Sequence, residues 1–227
     1  MKTNIGLVEY CKAQLGKPYW YGTFGNIASE KLLRSKSIQY PKYYTDDDFM
    51  SQYGERVHDC VGLIKGYLWS DTPTATPTYN VLQDKNVSGM YKNCDECGYI
   101  TKIPEIKGVL VFKRTDHVGI YIGNGKVIEA RGHEYGVVET DLDERNWTHW
   151  GMLNWIEYID EKEIKMFQDG DELKAIDYLV DVGEITNKEL ALMKLETVVD
   201  EKWTYIKWAN IAKKLYEQNP CVSKITR

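Results

Sequence analysis

The sequence has no apolar run approaching the roughly 20 residues that a bilayer-spanning helix needs. Met1 to Tyr10 also lacks the charged start and apolar stretch of a secretory signal. The expectation is therefore a chain made in the cytoplasm, without membrane insertion, that reaches any outside substrate by another carrier. Neither charge sign is in large excess: 29 basic and 34 acidic residues give a net charge of −5, too balanced for a sequence-independent grip on nucleic acid. The five cysteines are an odd number in a long chain, which does not describe a disulfide framework and turns attention to individual thiols. Cys94-Asp95-Glu96-Cys97 has zinc or redox spacing, but with no second such pair and no fitting pair of histidines, no metal site is expected. Asp46-Asp47-Asp48 lacks the ligand spacing of a calcium loop and reads as a helix start or a solvated turn.

What is present describes a globular protein: 227 residues, 43% apolar and 28% charged, enough for one domain or two small ones. Aromatics make up 12%, which suits a carbohydrate or peptide groove as readily as a core.

A first helix is expected from Thr3 or Asn4 to Leu15, because Leu7, Cys11 and Leu15 share a face and Gly16 stops it. Cys11 then serves as buried filler. After the aromatic turn Gly16-Lys17-Pro18-Tyr19-Trp20-Tyr21-Gly22, the segment 23–57 shows no sustained period and reads as a long surface excursion. Asp59 is the N-cap of a buried helix, Cys60 to Trp69. A further helical pattern places Val87, Met90, Tyr91 and Cys94 on one face and closes at Gly98.

From Gly108 the period becomes that of strands: 108–112, 118–122, a Gly123-Asn124-Gly125 turn, 126–130, 137–140 and 154–158. Helices followed by an antiparallel sheet make an α+β domain over 1–160. Residues 161–227 return to helical periodicity, with a capping box from Thr186 to Glu189, and form a small all-α three-helix unit with a basic end. It is expected to serve wall targeting or oligomerisation, or to be a structural appendage.

Cys60 is the most suggestive chemical position. A thiol in the first turn of a helix feels the positive end of the dipole, which favours the thiolate; the other reading is an inert buried thiol. His117, at the entry to a strand, can take its proton and return it to a leaving amine. Counting back through the hairpin sets His117 near Ala130 or Arg131, with Glu129 one step away as the group that orients the imidazole. An exposed strand residue is the other reading of Glu129. His58, His133 and His149 read as surface residues, with His133 the one alternative to Glu129 worth testing.

These residues bring the sequence close to a known family. His58-Asp59-Cys60-Val61-Gly62-Leu63-Ile64 resembles the Asp-Cys-Ser-Gly-Leu-Val block of the NlpC/P60 cell-wall cysteine peptidases. His117 through Ala130 is similar to that family's second block almost residue for residue, and Gly16 through Gly22 to the turn before its nucleophile. The resemblance spans about 4–158 and stops short of the C-terminal helices.

The resemblance implies a papain-like fold, no cofactor, and hydrolysis of an amide in peptidoglycan stem peptides, typically between D-γ-glutamyl and a diamino acid. It implies Cys60 as nucleophile, His117 as general base and Glu129 as the third polar residue. It also sets Tyr19 on the oxyanion side, with Asp59 and the neighbouring Trp20 as substrate contacts. Two positions depart from the pattern. Glu129 is a carboxylate where a neutral group is commoner, which favours a thiolate/imidazolium pair. Val61 replaces a serine that helps hold a free stem-peptide amine in relatives, which points to intact cross-linked wall instead. The segment 23–57 is longer than the usual connector, and its Tyr40, Tyr43 and Tyr44 are candidates for a groove wall. The expected setting is an endolysin released through a holin, or a tail-delivered hydrolase; an N-acetylmuramoyl-L-alanine amidase on the same site and a non-catalytic wall-binding module are the alternatives.

Overall fold

Thr3 starts the chain's first helix by turning its side chain back on the backbone: its hydroxyl accepts the Gly6 N–H at 3.1 Å. The structure, a computed structural model, describes residues 2–46 and 48–159; the three helices expected over 161–227 lie outside the described residues. Helix α1 (Asn4–Ala13) buries Leu7 and Cys11 completely. It ends two residues before the expected Leu15, which is 40% exposed. The cause is Gly16, whose positive φ of 78° turns the chain so that its N–H bonds Val137.

The segment 23–57 is not an irregular excursion. It contains β1 (Phe24–Ile27), helix α2 (Glu30–Gln39) and β2 (Arg56–His58), with β1 and β2 paired antiparallel. Its core is a small cluster of Trp20, Ala28, Phe49 and Val57. Four apolar residues so far apart in sequence leave no periodic trace, and α2 buries none of its residues fully, so no apolar stripe betrays it. Asp48 opens a short 3-10 turn, Asp48–Gln52.

Helix α3 (Cys60–Trp69) is capped by Asp59, whose Oδ1 accepts the Gly62 N–H at 2.6 Å. Every residue from Val61 to Trp69 is buried. The two glycines that weaken a helical pattern are what permit this burial: a β-carbon at Gly62 would overlap the Thr23 carbonyl, and one at Gly66 the Tyr10 hydroxyl.

The next helical expectation is half right. Helix α4 (Val87–Lys92) stops at Asn93, and Cys94 begins a strand, β3 (Cys94–Tyr99), because its backbone pairs with Leu153. Then follow β4 (Leu110–Lys113), β5 (His117–Gly123), β6 (Lys126–Gly132), β7 (Gly136–Asp141) and β8 (His149–Leu153). The last strand is 149–153 rather than 154–158, since 149–153 fits between β3 and β4 while Glu157 makes a lone bridge to Thr3. The result is a six-stranded antiparallel sheet in the order β3-β8-β4-β5-β6-β7, an α+β architecture. Asn124 and Gly125, both with positive φ, turn β5 into β6. Among the described residues no helix is long and apolar enough to cross a membrane.

Candidate active site

The register of the β5–β6 hairpin decides which side chains meet. Ile120 pairs with Ile128, so one step further Gly119 faces Glu129, on the same side of the sheet as His117. Because Gly119 has no side chain, the space beside it is filled by Trp147, from the turn between β7 and β8. A β-carbon at Gly119 would stand 2.7 Å from Val127 and 3.0 Å from the Trp147 ring. Trp147 in turn stacks on the His117 imidazole, with centroids 5.6 Å apart and planes 15° off parallel.

His117 Nε2 lies 2.6 Å from Glu129 Oε2, and the Glu129 side chain is wholly buried. Burial pushes its carboxyl up, but bonds from His117, from Arg145 and from Thr140 outweigh this and hold it down to about 2. An ionised carboxylate has no proton to give, so Nε2–H is the donor and Nδ1 is left as the basic nitrogen. The exposed-strand reading of Glu129 is thereby excluded, and so is His133 as its substitute. His133 bonds Asp48 at 2.7 Å, packs on Phe49, and lines a separate cavity of about 490 Å³ with Lys17, Pro18, Asp46 and Glu134.

Cys60 occupies the first position of α3, where backbone amides have no intrahelical acceptor. The N–H groups of Val61, Val118 and Cys60 itself are directed at the sulfur. Val118 follows His117 directly, so the thiol lies against the strand that carries the imidazole. The expected bias toward thiolate is reversed at rest: burial, then the Asp59 carboxylate, push the Cys60 thiol up to about 12, and the three amides offset only part of that. Cys60 needs a base to ionise.

Asp59 is buried with both oxygens engaged, Oδ1 by Gly62 and Oδ2 by the Gly22 N–H at 2.8 Å. Burial pushes its carboxyl up against those bonds. Tyr19 bridges to His58 in the backbone. Its hydroxyl is pushed up by burial, then by the Cys60 and Asp59 charges, which places it within electrostatic reach of both. Trp20 departs from expectation. It is completely buried, bonds Gln52 through Nε1 at 2.6 Å and packs on Tyr44 and Phe49, so it holds the insertion and has no face for substrate.

Two histidines also differ from their surface reading. His58 is fully buried against the Tyr10 hydroxyl at 2.9 Å, and burial together with Arg56 lowers its pKa to about 3. His149 is half-buried between Tyr91 and Tyr99. Three members of the site, Thr140, Arg145 and Trp147, are absent from the sequence reading. They approach from a neighbouring strand and a turn, and no local pattern marks such a contact.

The insertion supplies an aromatic wall. Tyr21 stacks on Tyr43 with centroids 3.7 Å apart and planes 1° from parallel, Tyr40 meets Tyr21 edge-on, and the Tyr44 hydroxyl bonds the Tyr21 carbonyl. The Asp59 charge acts on Tyr21 and Tyr44, so this wall stands beside the cap of α3. Among the described residues no group of three or more His, Cys, Asp or Glu side chains is placed to hold a metal ion.

Comparison with solved structures finds similar chains at low identity. The peptidoglycan hydrolase RipB of Mycobacterium tuberculosis is 17% identical, with 68% of this chain and 65% of that one covered and a TM-score of 0.41. The P60 domain of an antigen of M. avium subspecies paratuberculosis is 19% identical, covering 68% and 96%, with a TM-score of 0.43. NlpC2 of Trichomonas vaginalis is 15% identical, covering 67% and 47%, with a TM-score of 0.39. This chain thus spans less than two thirds of the length of RipB and about half that of NlpC2. No curated protein matches the sequence. The NlpC/P60 family model matches residues 46–155, a stretch that includes Cys60, His117 and Glu129 but not the turn 16–22. Over that stretch, just under half of its length, the chain is similar to the NlpC/P60 family.

Proposed function

We propose that this protein is a peptidoglycan hydrolase, a cysteine endopeptidase that cleaves an amide within stem peptides of the D-γ-glutamyl-diamino acid type. The observation that carries the reading is the Cys60 sulfur within reach of the Val118 amide, one residue beyond a His117 imidazole whose Nε2 is fixed on Glu129. In this mechanism Nδ1 of His117 takes the Cys60 proton as the sulfur attacks the carbonyl carbon, and a thioacyl-enzyme forms. The proton passes to the leaving amine, and water then releases the acyl group with His117 again as base. Tyr19 and the first-turn amides of α3 face the developing oxyanion. Nothing in these steps calls for a cofactor.

Val61 is buried at the position where relatives carry serine, which supports intact cross-linked wall over a free stem-peptide amine as substrate. The tyrosine wall of the insertion supports a groove that holds substrate, and Tyr43 is 52% exposed. An endolysin released through a holin, or else a tail-delivered hydrolase, is the setting proposed for a wall hydrolase, with residues 161–227 as its targeting or oligomerisation segment.

Digestion of purified walls followed by mass spectrometry tests the bond. The endopeptidase reading predicts new amino termini on the diamino acid. L-alanine amino termini would replace it with an amidase, and no released fragment would leave a wall-binding module.

A further inference from the structure

Glu129 is a carboxylate in a place where a bare negative charge would work against a general base. An unneutralised carboxylate buried against His117 favours imidazolium, which cannot accept the Cys60 proton. The structure supplies the compensation. Arg145 Nε lies 2.8 Å from Glu129 Oε1 and its Nη2 3.1 Å from Oε2, a two-pronged grip. Thr140 donates to Oε1 at 2.9 Å. Each oxygen of Glu129 therefore holds two donors, one of the four being His117. With Glu129 wholly buried and Arg145 21% exposed, salt screens this pair little.

We infer that Arg145 is a positioning residue of the proton relay: its guanidinium offsets the Glu129 charge and fixes the carboxylate, so that His117 is oriented without being locked as imidazolium. The inference rests on the peptidase reading of Cys60 and His117. Other charges near the imidazole do not substitute for Arg145. Cys60 and Asp59, at the tip of α3, act on each other and on Tyr19 beside them. Lys113, its register partner on β4, is exposed, as is Asp116 just before it. Arg131, nearest on β6, has its guanidinium 4.0 Å from the Tyr135 ring centroid.

The test uses full-length protein carrying Arg145→Met, Arg145→Lys, or Arg145→Met with Glu129→Gln, each checked for folding by circular dichroism. Two quantities are read: the pH profile of kcat/KM on purified walls, and the His117 titration by NMR in a Cys60→Ala background. Arg145→Met is expected to move both the acid limb and the NMR midpoint up by about one pH unit. Activity on the acid side then falls about ten-fold, while KM holds. Arg145→Lys should keep the midpoint but lower kcat, since one ammonium cannot grip both oxygens. The double variant should return the midpoint to that of the parent.

An unmoved midpoint in folded Arg145→Met overturns the inference. Should that variant not fold, parent-like kcat in Arg145→Lys or a raised midpoint in the double variant overturns it instead. The NMR titration needs no turnover, so a wall-inert parent would end the peptidase reading while leaving the Arg145 coupling measurable.

Discussion

The backbone N–H of Val118 is directed at the sulfur of Cys60. The tip of α3 thereby meets β5, and the helix that carries the thiol packs against the strand that carries His117. Side-chain freedom plays little part in that alignment: the imidazole is fixed by Glu129 at its far nitrogen and by Trp147 on its face. The arrangement tolerates little displacement, and the predictions below turn on that.

Gly119→Ala should disturb the relay without touching it. The added methyl meets Val127 and Trp147, and overpacking of this kind costs about 1–3 kcal/mol. Because Trp147 must shift off His117, kcat should fall by about ten-fold or more, as misplacement near a reacting group does. Denaturant titration and wall-clearing rates check it; parent-like values in both would show that the stack is incidental.

Acid should weaken the fold through Glu129. Its folded pKa, held down to about 2, lies below the ordinary 4.5, so the stabilisation is fully present above about pH 4.5 and is lost as pH falls toward 2. The amount is on the order of 3 kcal/mol. Melting temperatures between pH 5 and 2 should drop more steeply in the parent than in Glu129→Gln, which is already weaker at pH 7 because Arg145 loses its carboxylate. Equal slopes would remove this account of the pair.

The Cys60 thiol, pushed up to about 12 by burial and Asp59, should react slowly with iodoacetamide. Its alkylation rate should climb steadily from pH 7 to 9 with no plateau, since the thiolate is the reactive form. A plateau below pH 7 would reveal a resting thiolate/imidazolium pair.

Tyr43 tests the aromatic wall. It stacks on Tyr21 and is half exposed, so Tyr43→Ala should raise KM several-fold while the melting temperature stays close to that of the parent. Aromatic contacts of this type are worth about 0.5–1.5 kcal/mol. Unchanged KM on intact walls would make the insertion structural only.

Much of this was legible in the sequence because it depends on local pattern. The Asp59 cap, the buried run after Cys60 and the Asn124-Gly125 turn each announce themselves within a few residues. The hairpin register, once started, placed Glu129 within reach of His117. What stayed hidden depends on contacts across the fold. Trp20 reads as a groove aromatic until Phe49 and Tyr44 close over it. Cys94 reads as helical until Leu153 pairs with its backbone. Arg145 sits in a turn after a run of acids, and only the fold shows that its partner is Glu129, sixteen residues earlier.

The most direct measurement is release of soluble muropeptides from purified walls by the parent, by Cys60→Ala and by His117→Ala, with melting temperatures taken alongside. Both variants are predicted to lose release by about a thousand-fold or more, in line with removal of a nucleophile or its base, while remaining folded. Release by folded Cys60→Ala at the parent's rate would contradict the mechanism outright.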